Sequence, residues 1–155
     1  MPRSKERVNR LTSASLDLEN CLRFLDELKN HEYGSTPYEA LLVSAVIFYA
    51  RPFSQNEKKE SPHPSETRVP DSVLSGLSQD ESTLHKNIVT LRNKAVAHAE
   101  WSHHPTGVSD SGVIKAIQFS IWWHFQGSAK LAQFSSLVSK VRLAVQHEQA
   151  NELRN

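Results

Sequence analysis

Between Ala40 and Ala50 the chain is apolar on nearly every side. Leu41, Leu42, Val43, Val46, Ile47, Phe48 and Tyr49 distribute around a whole helical wheel. A helix without a polar face belongs at the centre of a bundle, because water has no side of it to solvate. A buried strand is the rival reading, but the length and the flanking signals favour a helix. Thr36 suits the N-cap, Pro37 the first turn, and Glu39 complements the helix dipole. Arg51-Pro52-Phe53 closes the segment, since proline disfavours helix at the residue before it.

A central apolar helix needs amphipathic neighbours, and the sequence offers three. From Ser4 to Asn30, apolar residues recur at Val8, Leu11, Leu18, Leu22, Leu25 and Leu28, near helical spacing. Cys21 sits among them as a small core residue. Gly34, in His31-Glu32-Tyr33-Gly34-Ser35, marks the turn that follows. Ser78 and Glu81 have capping-box spacing and open a helix whose stripe is Leu84, Ile88, Leu91, Ala95 and Ala99, ending near Trp101. Ser128 to Leu153 forms the last helix, with Leu131, Phe134, Leu137, Val138, Val141 and Val145 facing inward.

The connections are less regular. Ser54 to Pro70 holds a charge run and Pro62, Pro64 and Pro70, and reads as a long surface loop. Asp71 to Leu77 reads as a short helical turn carrying Val73, Leu74 and Leu77. Asp110-Ser111-Gly112 reads as a turn. Residues 117–125 carry apolar side chains at every odd position, the period of a strand or hairpin arm, with a helix apolar on most faces as the alternative. The expectation is therefore an all-α four-helix bundle in a single domain over residues 1–155. It has flexible termini near 1–4 and 150–155, the loop 54–70, and a short β segment near 113–125.

Composition narrows the function classes. Eighteen basic against 17 acidic residues give a formal charge of +1, too balanced for a broad non-specific nucleic-acid groove. A small site with a few placed cations is compatible with that balance. One cysteine excludes an internal disulfide and a multi-cysteine zinc site. No apolar run approaches the roughly 20 residues of a membrane span. The charged start, Met1 to Arg10, lacks the apolar core of a signal peptide. The expected setting is cytoplasmic, with no membrane partner and no cofactor.

Chemistry concentrates in Leu91-Arg92-Asn93-Lys94-Ala95-Val96-Ala97-His98. Arginine presents a planar fork of donors to phosphate, and histidine moves protons near neutral pH. Six positions along one straight helix separate Arg92 and His98 by about 120° around the axis and about 9 Å along it. One helix therefore does not bring their tips together. Two crossed copies of it, or a bend, would. A purely structural reading stands beside this one: Arg92 paired to an acid such as Glu81 or Asp17, and His98 packed near Trp101.

The octapeptide resembles the signature of the HEPN superfamily, small helical bundles whose motif is Arg, commonly a polar residue such as Asn, then His after four to six positions. Here five residues intervene and the polar residue is Asn93. The Ala97-His98-Ala99 context and the placement in a late helix, after an apolar helix ending Tyr49-Ala50-Arg51-Pro52-Phe53, are also similar. The likeness spans roughly Leu11 to Val145. It implies a metal-independent ribonuclease acting on RNA as a homodimer with a composite interface site, in toxin–antitoxin or antiviral defence. An antitoxin or nucleotidyltransferase partner belongs to the same picture. His98 would be general base on the ribose 2′-hydroxyl or acid on the leaving oxygen. Arg92 would stabilise charge on the phosphorane, and Asn93 would orient phosphate or brace the histidine. Products would be a 2′,3′-cyclic phosphate and a 5′-hydroxyl. Some members are non-catalytic and serve as nucleic-acid, nucleotide or protein-binding modules.

Lys94, His103 and His104 complete the candidate set as substrate-binding residues. The spacing of His98, His103 and His104 is not that of a helical zinc pair, and no metal is expected. Trp101, Trp122, Trp123 and Phe125 suit packing or a dimer contact better than base stacking. No glycine-rich phosphate loop or nucleophile elbow is present.

Overall fold

The computed structural model describes residues 3–54, 68–93, 106–108, 110–112, 114–116 and 121–154. They are mostly helical. Four α-helices, α1 (Arg3–Glu27), α2 (Thr36–Ala50), α3 (Gln79–Leu91) and α4 (Ser128–Glu152), contribute to one apolar core. Two short antiparallel strands, β1 (Thr106–Val108) and β2 (Ile114–Ala116), pair with Thr106 opposite Ala116 and Val108 opposite Ile114. The turn expected at Asp110-Ser111-Gly112 lies between them, and Gly112 supplies the positive φ of 76° that it needs.

The most extensive packing is α1 along α4, followed by α1 along α2. Leu11, Ala14, Leu18, Cys21 and Leu25 form the buried stripe of α1, as the helical spacing predicts. Phe134, Leu137, Val138, Val141 and Val145 of α4 are fully buried against it. The two helices run antiparallel, because their cross-helix pairs descend in register. Arg7 reaches Glu152, Thr12 accepts from Gln149, and Arg142 donates to Glu19. Helices α1 and α2 are antiparallel by the same logic, with Asp17 beside Arg51 and Phe24 against Phe48.

The central position expected of α2 is met on one side. Leu42, Ala45, Val46, Tyr49 and Ala50 are buried, whereas Leu41, Val43, Ile47 and Phe48 are half-buried. Phe48 is screened by the edge of Phe24 and by the Arg51 guanidinium, 4.9 Å from its ring centre. A charged stem and an aromatic edge thus replace a packed helix on that flank.

Local signals decide the helix ends. Ser35, not Thr36, is the N-cap of α2: its extended backbone aims Oγ at the Tyr38 N–H, 3.4 Å away. Thr36 is already helical. The capping box of α3 forms as expected, with Glu81 N–H donating to Ser78 Oγ and Ser78 N–H to Glu81 Oε2. α1 continues into a 3-10 turn, Leu28–Asn30, that buries Leu28. The short turn expected from Asp71 is a 3-10 turn, Asp71–Leu74, that buries Val73. Its approach is fixed by Val69 N–H donating to Pro52 C=O at 3.0 Å, which joins the two ends of the loop predicted over 54–70. Residues 55–67 of that loop lie outside the described residues.

One expectation is overturned in part. Residues 121–125, read as strand from their period of two, form a 3-10 helix, Ile121–Phe125. Ile121 and Phe125, one 3-10 turn and a residue apart, both enter the core. A tight helix and a strand share apolar odd positions over so short a run, and packing decides between them. Strand does occur in the expected neighbourhood, but at Ile114–Ala116. Residues 117–120 lie outside the described set. Among the described residues no helix is long and apolar enough to cross a membrane.

Candidate functional site

Arg92 and Asn93 directly follow Leu91, the buried last residue of α3, and are in a π-type turn. Arg92 keeps helical backbone angles, φ −58° and ψ −47°, and its N–H donates to the Ile88 and Val89 carbonyls. Arg92 is half-buried and Asn93 exposed. Arg92 Nη1 donates to Asn93 Oδ1 at 3.0 Å. The amide thus holds the guanidinium fork at one corner, and among the described residues no carboxylate pairs with Arg92.

The acids proposed as structural partners for Arg92 are engaged elsewhere. Glu81 Oε2 accepts from Lys140 at 2.7 Å, and Asp17 Oδ1 lies 3.2 Å from Arg51. The Lys140 hydrogen bond, then the Ser78 N–H, hold the Glu81 carboxyl below its ordinary pKa. Burial raises the Asp17 pKa, with Arg51 and Arg10 opposing the rise. Neither acid neutralises Arg92.

A groove opens between the C-terminal half of α3, the Ile121–Phe125 turn and the start of α4. Its volume is about 510 Å³. Leu84, Ile88, Leu91 and Phe125 form an apolar floor, and polar groups such as Asn87, Lys130 and Gln133 line its rim. Phe125 is locked by stacking on Phe134, with ring centres 5.3 Å apart. No Asp or Glu lines the groove among the described residues. α3 and α4 run antiparallel here: Glu81 near the start of α3 meets Lys140, while the end of α3 shares the groove with Lys130.

A second titratable group was missed by sequence reasoning. His85, on α3, is almost wholly buried, and its Nδ1 shares a hydrogen bond of 2.9 Å with the Tyr49 hydroxyl of α2. Phe53 packs edge-on against the His85 ring. Burial, then the charge of Lys86, lowers the His85 pKa, so the ring is held neutral. Burial also raises the pKa of the Tyr49 phenol and of the neighbouring Cys21 thiol. A signal existed in the sequence. A tyrosine inside an otherwise apolar helix needs a partner for its hydroxyl, and His85 lies one turn before Ile88 on the buried stripe of α3. The pair joins α2 to α3 through one hydrogen bond, while the His85 ring also lines a cavity of about 250 Å³ with Arg68 and Asp71.

Lys94, His98, His103 and His104 lie outside the described residues, as does Trp101. Arg92 and Asn93 are the members of the predicted set whose surroundings are defined. Comparison with protein-family models, curated proteins and solved structures finds no match to the chain.

Proposed function

We propose that the chain is a metal-independent endoribonuclease of HEPN type, folded as a HEPN-like four-helix bundle and active as a homodimer. The observation that supports it is the state of Arg92: half-buried, braced by Asn93, and left un-neutralised by Glu81 and Asp17, which Lys140 and Arg51 occupy. Among the described residues no carboxylate pairs with it, and an arginine fork held at one corner by an amide can take an oxyanion.

In this reading Arg92 binds the scissile phosphate and stabilises charge on the phosphorane. His98 takes the proton of the ribose 2′-hydroxyl or returns one to the leaving 5′-oxygen. Attack of the 2′-oxygen forms the 2′,3′-cyclic phosphate as the bond to the 5′-oxygen breaks, and the proton removed from the 2′-hydroxyl balances the one delivered there. Asn93 positions the guanidinium. Lys94, His103 and His104 contact the flanking phosphates. In this reading Arg92 and His98 of a working pair come from two chains, or from one chain with a bend between them. Defence or toxin–antitoxin duty in the cytoplasm, with an antitoxin or nucleotidyltransferase as restraining partner, completes the proposal.

The test is incubation of purified protein with mixed RNA in EDTA, beside Arg92→Ala and His98→Ala. The expected result is cleavage to cyclic-phosphate ends by the unaltered chain and a loss of about 10²-fold or more in each variant, the scale of removing one transition-state donor. Equal cleavage by all three would expose a contaminant and sink the proposal. Absence of cleavage in all three, with RNA still bound, would favour the non-catalytic binding module.

A further inference from the structure

The cavity of about 250 Å³ beside His85 is walled by three segments. Phe53 comes from just after α2, Val69, Pro70 and Leu74 from the Asp71–Leu74 turn and its approach, and His85 and Val89 from α3. Hydrogen bonds and ring contacts fix these walls in advance. Val69 N–H donates to Pro52 C=O at 3.0 Å, and Val73 N–H to Pro70 C=O at 3.1 Å. Phe53 lies edge-on to His85, with ring centres 4.6 Å apart, and tilts against Tyr49 at 5.5 Å. Phe53, Pro70, Leu74 and Val89 are half-buried, so each keeps apolar surface that the fold does not cover.

Size, wall chemistry and charge each narrow the occupant. Sites for drug-sized ligands run from roughly 300 to 1,000 Å³, and an apolar cavity of about 150 Å³ holds benzene. A volume between those limits takes one ring with a small substituent. The deep wall is apolar except at His85. Tyr49 shares a hydrogen bond with its Nδ1, and no described residue bonds Nε2. Burial keeps the ring neutral, so Nε2 is one donor or one acceptor according to tautomer. A hydroxyl both donates and accepts, and therefore matches either tautomer. Among the described lining, charge enters only with Arg68 and Asp71, which are exposed and pair with each other at 3.3 Å. An ion entering the cavity would lose water without meeting an unpaired opposite charge. We infer that this cavity binds an uncharged single-ring aromatic molecule carrying one hydroxyl, a phenol in chemical class, with its ring against Phe53, Leu74 and Val89 and its hydroxyl on His85 Nε2. The site shares no residue with the proposed RNA chemistry, so it stands or falls separately from it.

Titration of the full chain with phenol, toluene and benzoate, followed by calorimetry and proton NMR, tests the inference. The three probes share a ring, and phenol alone adds an uncharged hydroxyl. Phenol should bind saturably, shift the His85 ring-proton resonances, and bind about fivefold tighter than toluene, the worth of one hydrogen bond. Benzoate should not bind. His85→Phe should bring phenol down to the affinity of toluene. Leu74→Trp, which fills the cavity from a half-buried position, should abolish binding of both, and it decides the matter if His85→Phe does not fold. Thermal melts check the folding of each variant. Equal affinity for phenol and toluene, tighter binding of benzoate, or no saturable binding to the unaltered chain would overturn the inference. So would a folded Leu74→Trp chain that binds phenol as before, because the probe would then sit elsewhere.

Discussion

The α1–α4 face and the α3–α4 face use the same helix for opposite ends. Along α1, α4 buries Phe134, Leu137, Val138, Val141 and Val145 completely and rims them with cross-helix pairs from Arg7 to Glu19. Toward α3 its first turns leave a groove of about 510 Å³, with Lys130 and Gln133 on the edge. The first face pairs Arg7 with Glu152 and Arg142 with Glu19, although among the described residues Arg142 Nε and Glu6 Oε2 are buried without a hydrogen-bond partner. The second leaves the exposed rim of the groove open. Under the proposed function stability and binding are thereby separated in space, so damage to one should spare the other.

The largest effects should show that separation most clearly. Leu18→Ala removes a fully buried side chain between α1 and its neighbours and should cost about 2–5 kcal/mol, read by urea denaturation. Arg92→Ala should shift the same transition by no more than about 1 kcal/mol, well below the cost of Leu18→Ala, while removing the proposed cleavage. A large stability loss in Arg92→Ala would place the arginine in the structural half and break the comparison.

Between the two faces lies the Tyr49–His85 pair, and it sharpens the boundary. Tyr49→Phe should cost about 1–3 kcal/mol, because it strands a buried ring nitrogen. The pH dependence has a defined sign. The folded-state pKa of His85 is depressed, so below the unfolded value of about 6.5 the unfolded chain takes up a proton that the folded chain resists. Its contribution is complete above that pH and is lost as pH falls toward the folded value. His85→Gln should therefore flatten stability against pH below about 6.5 relative to the unaltered chain. Parallel curves would mean that His85 titrates freely.

How far each face could be read from sequence follows from the range of the interactions. The α1–α4 face rests on repeats within single helices. Leu11, Leu18 and Leu25, and Leu137, Val141 and Val145, are spaced for burial before any partner is known. The Ser78–Glu81 box is local and was legible too, whereas Ser35 and Thr36 are neighbouring hydroxyls between which only backbone geometry chooses. The groove was not legible, because its lining comes from three segments brought together by tertiary packing. Within the motif the residue types suggest the chemistry, and the angular arithmetic for Arg92 and His98 on a straight helix asks for a second chain or a bend, neither of which a single-chain pattern displays. Ile121–Phe125 was misread because its two core contacts come from a turn too short to display a period.

An N-cap gives a smaller effect. Ser35→Ala removes the acceptor for the Tyr38 N–H, and should cost about 1 kcal/mol with Thr36 unable to substitute. Restoration by Ser35→Asp, whose carboxylate also favours the helix dipole, separates capping from packing.

The smallest expected effect comes from the rim of the α1–α4 face. Arg142 donates to Glu19 at 3.2 Å, but both side chains remain substantially solvated, 30% and 49% exposed. Water and salt screen such a pair, so Arg142→Ala should change stability by no more than about 1 kcal/mol. Salt-dependent melts of the unaltered chain and the variant check this, and their difference should shrink further toward high salt. A cost near that of Leu18→Ala would mean that the ladder of pairs, not the buried stripe, aligns α1 with α4. The first face would then owe its register to charges as exposed as those on the groove rim, and the division between a matched face and an open one would fail.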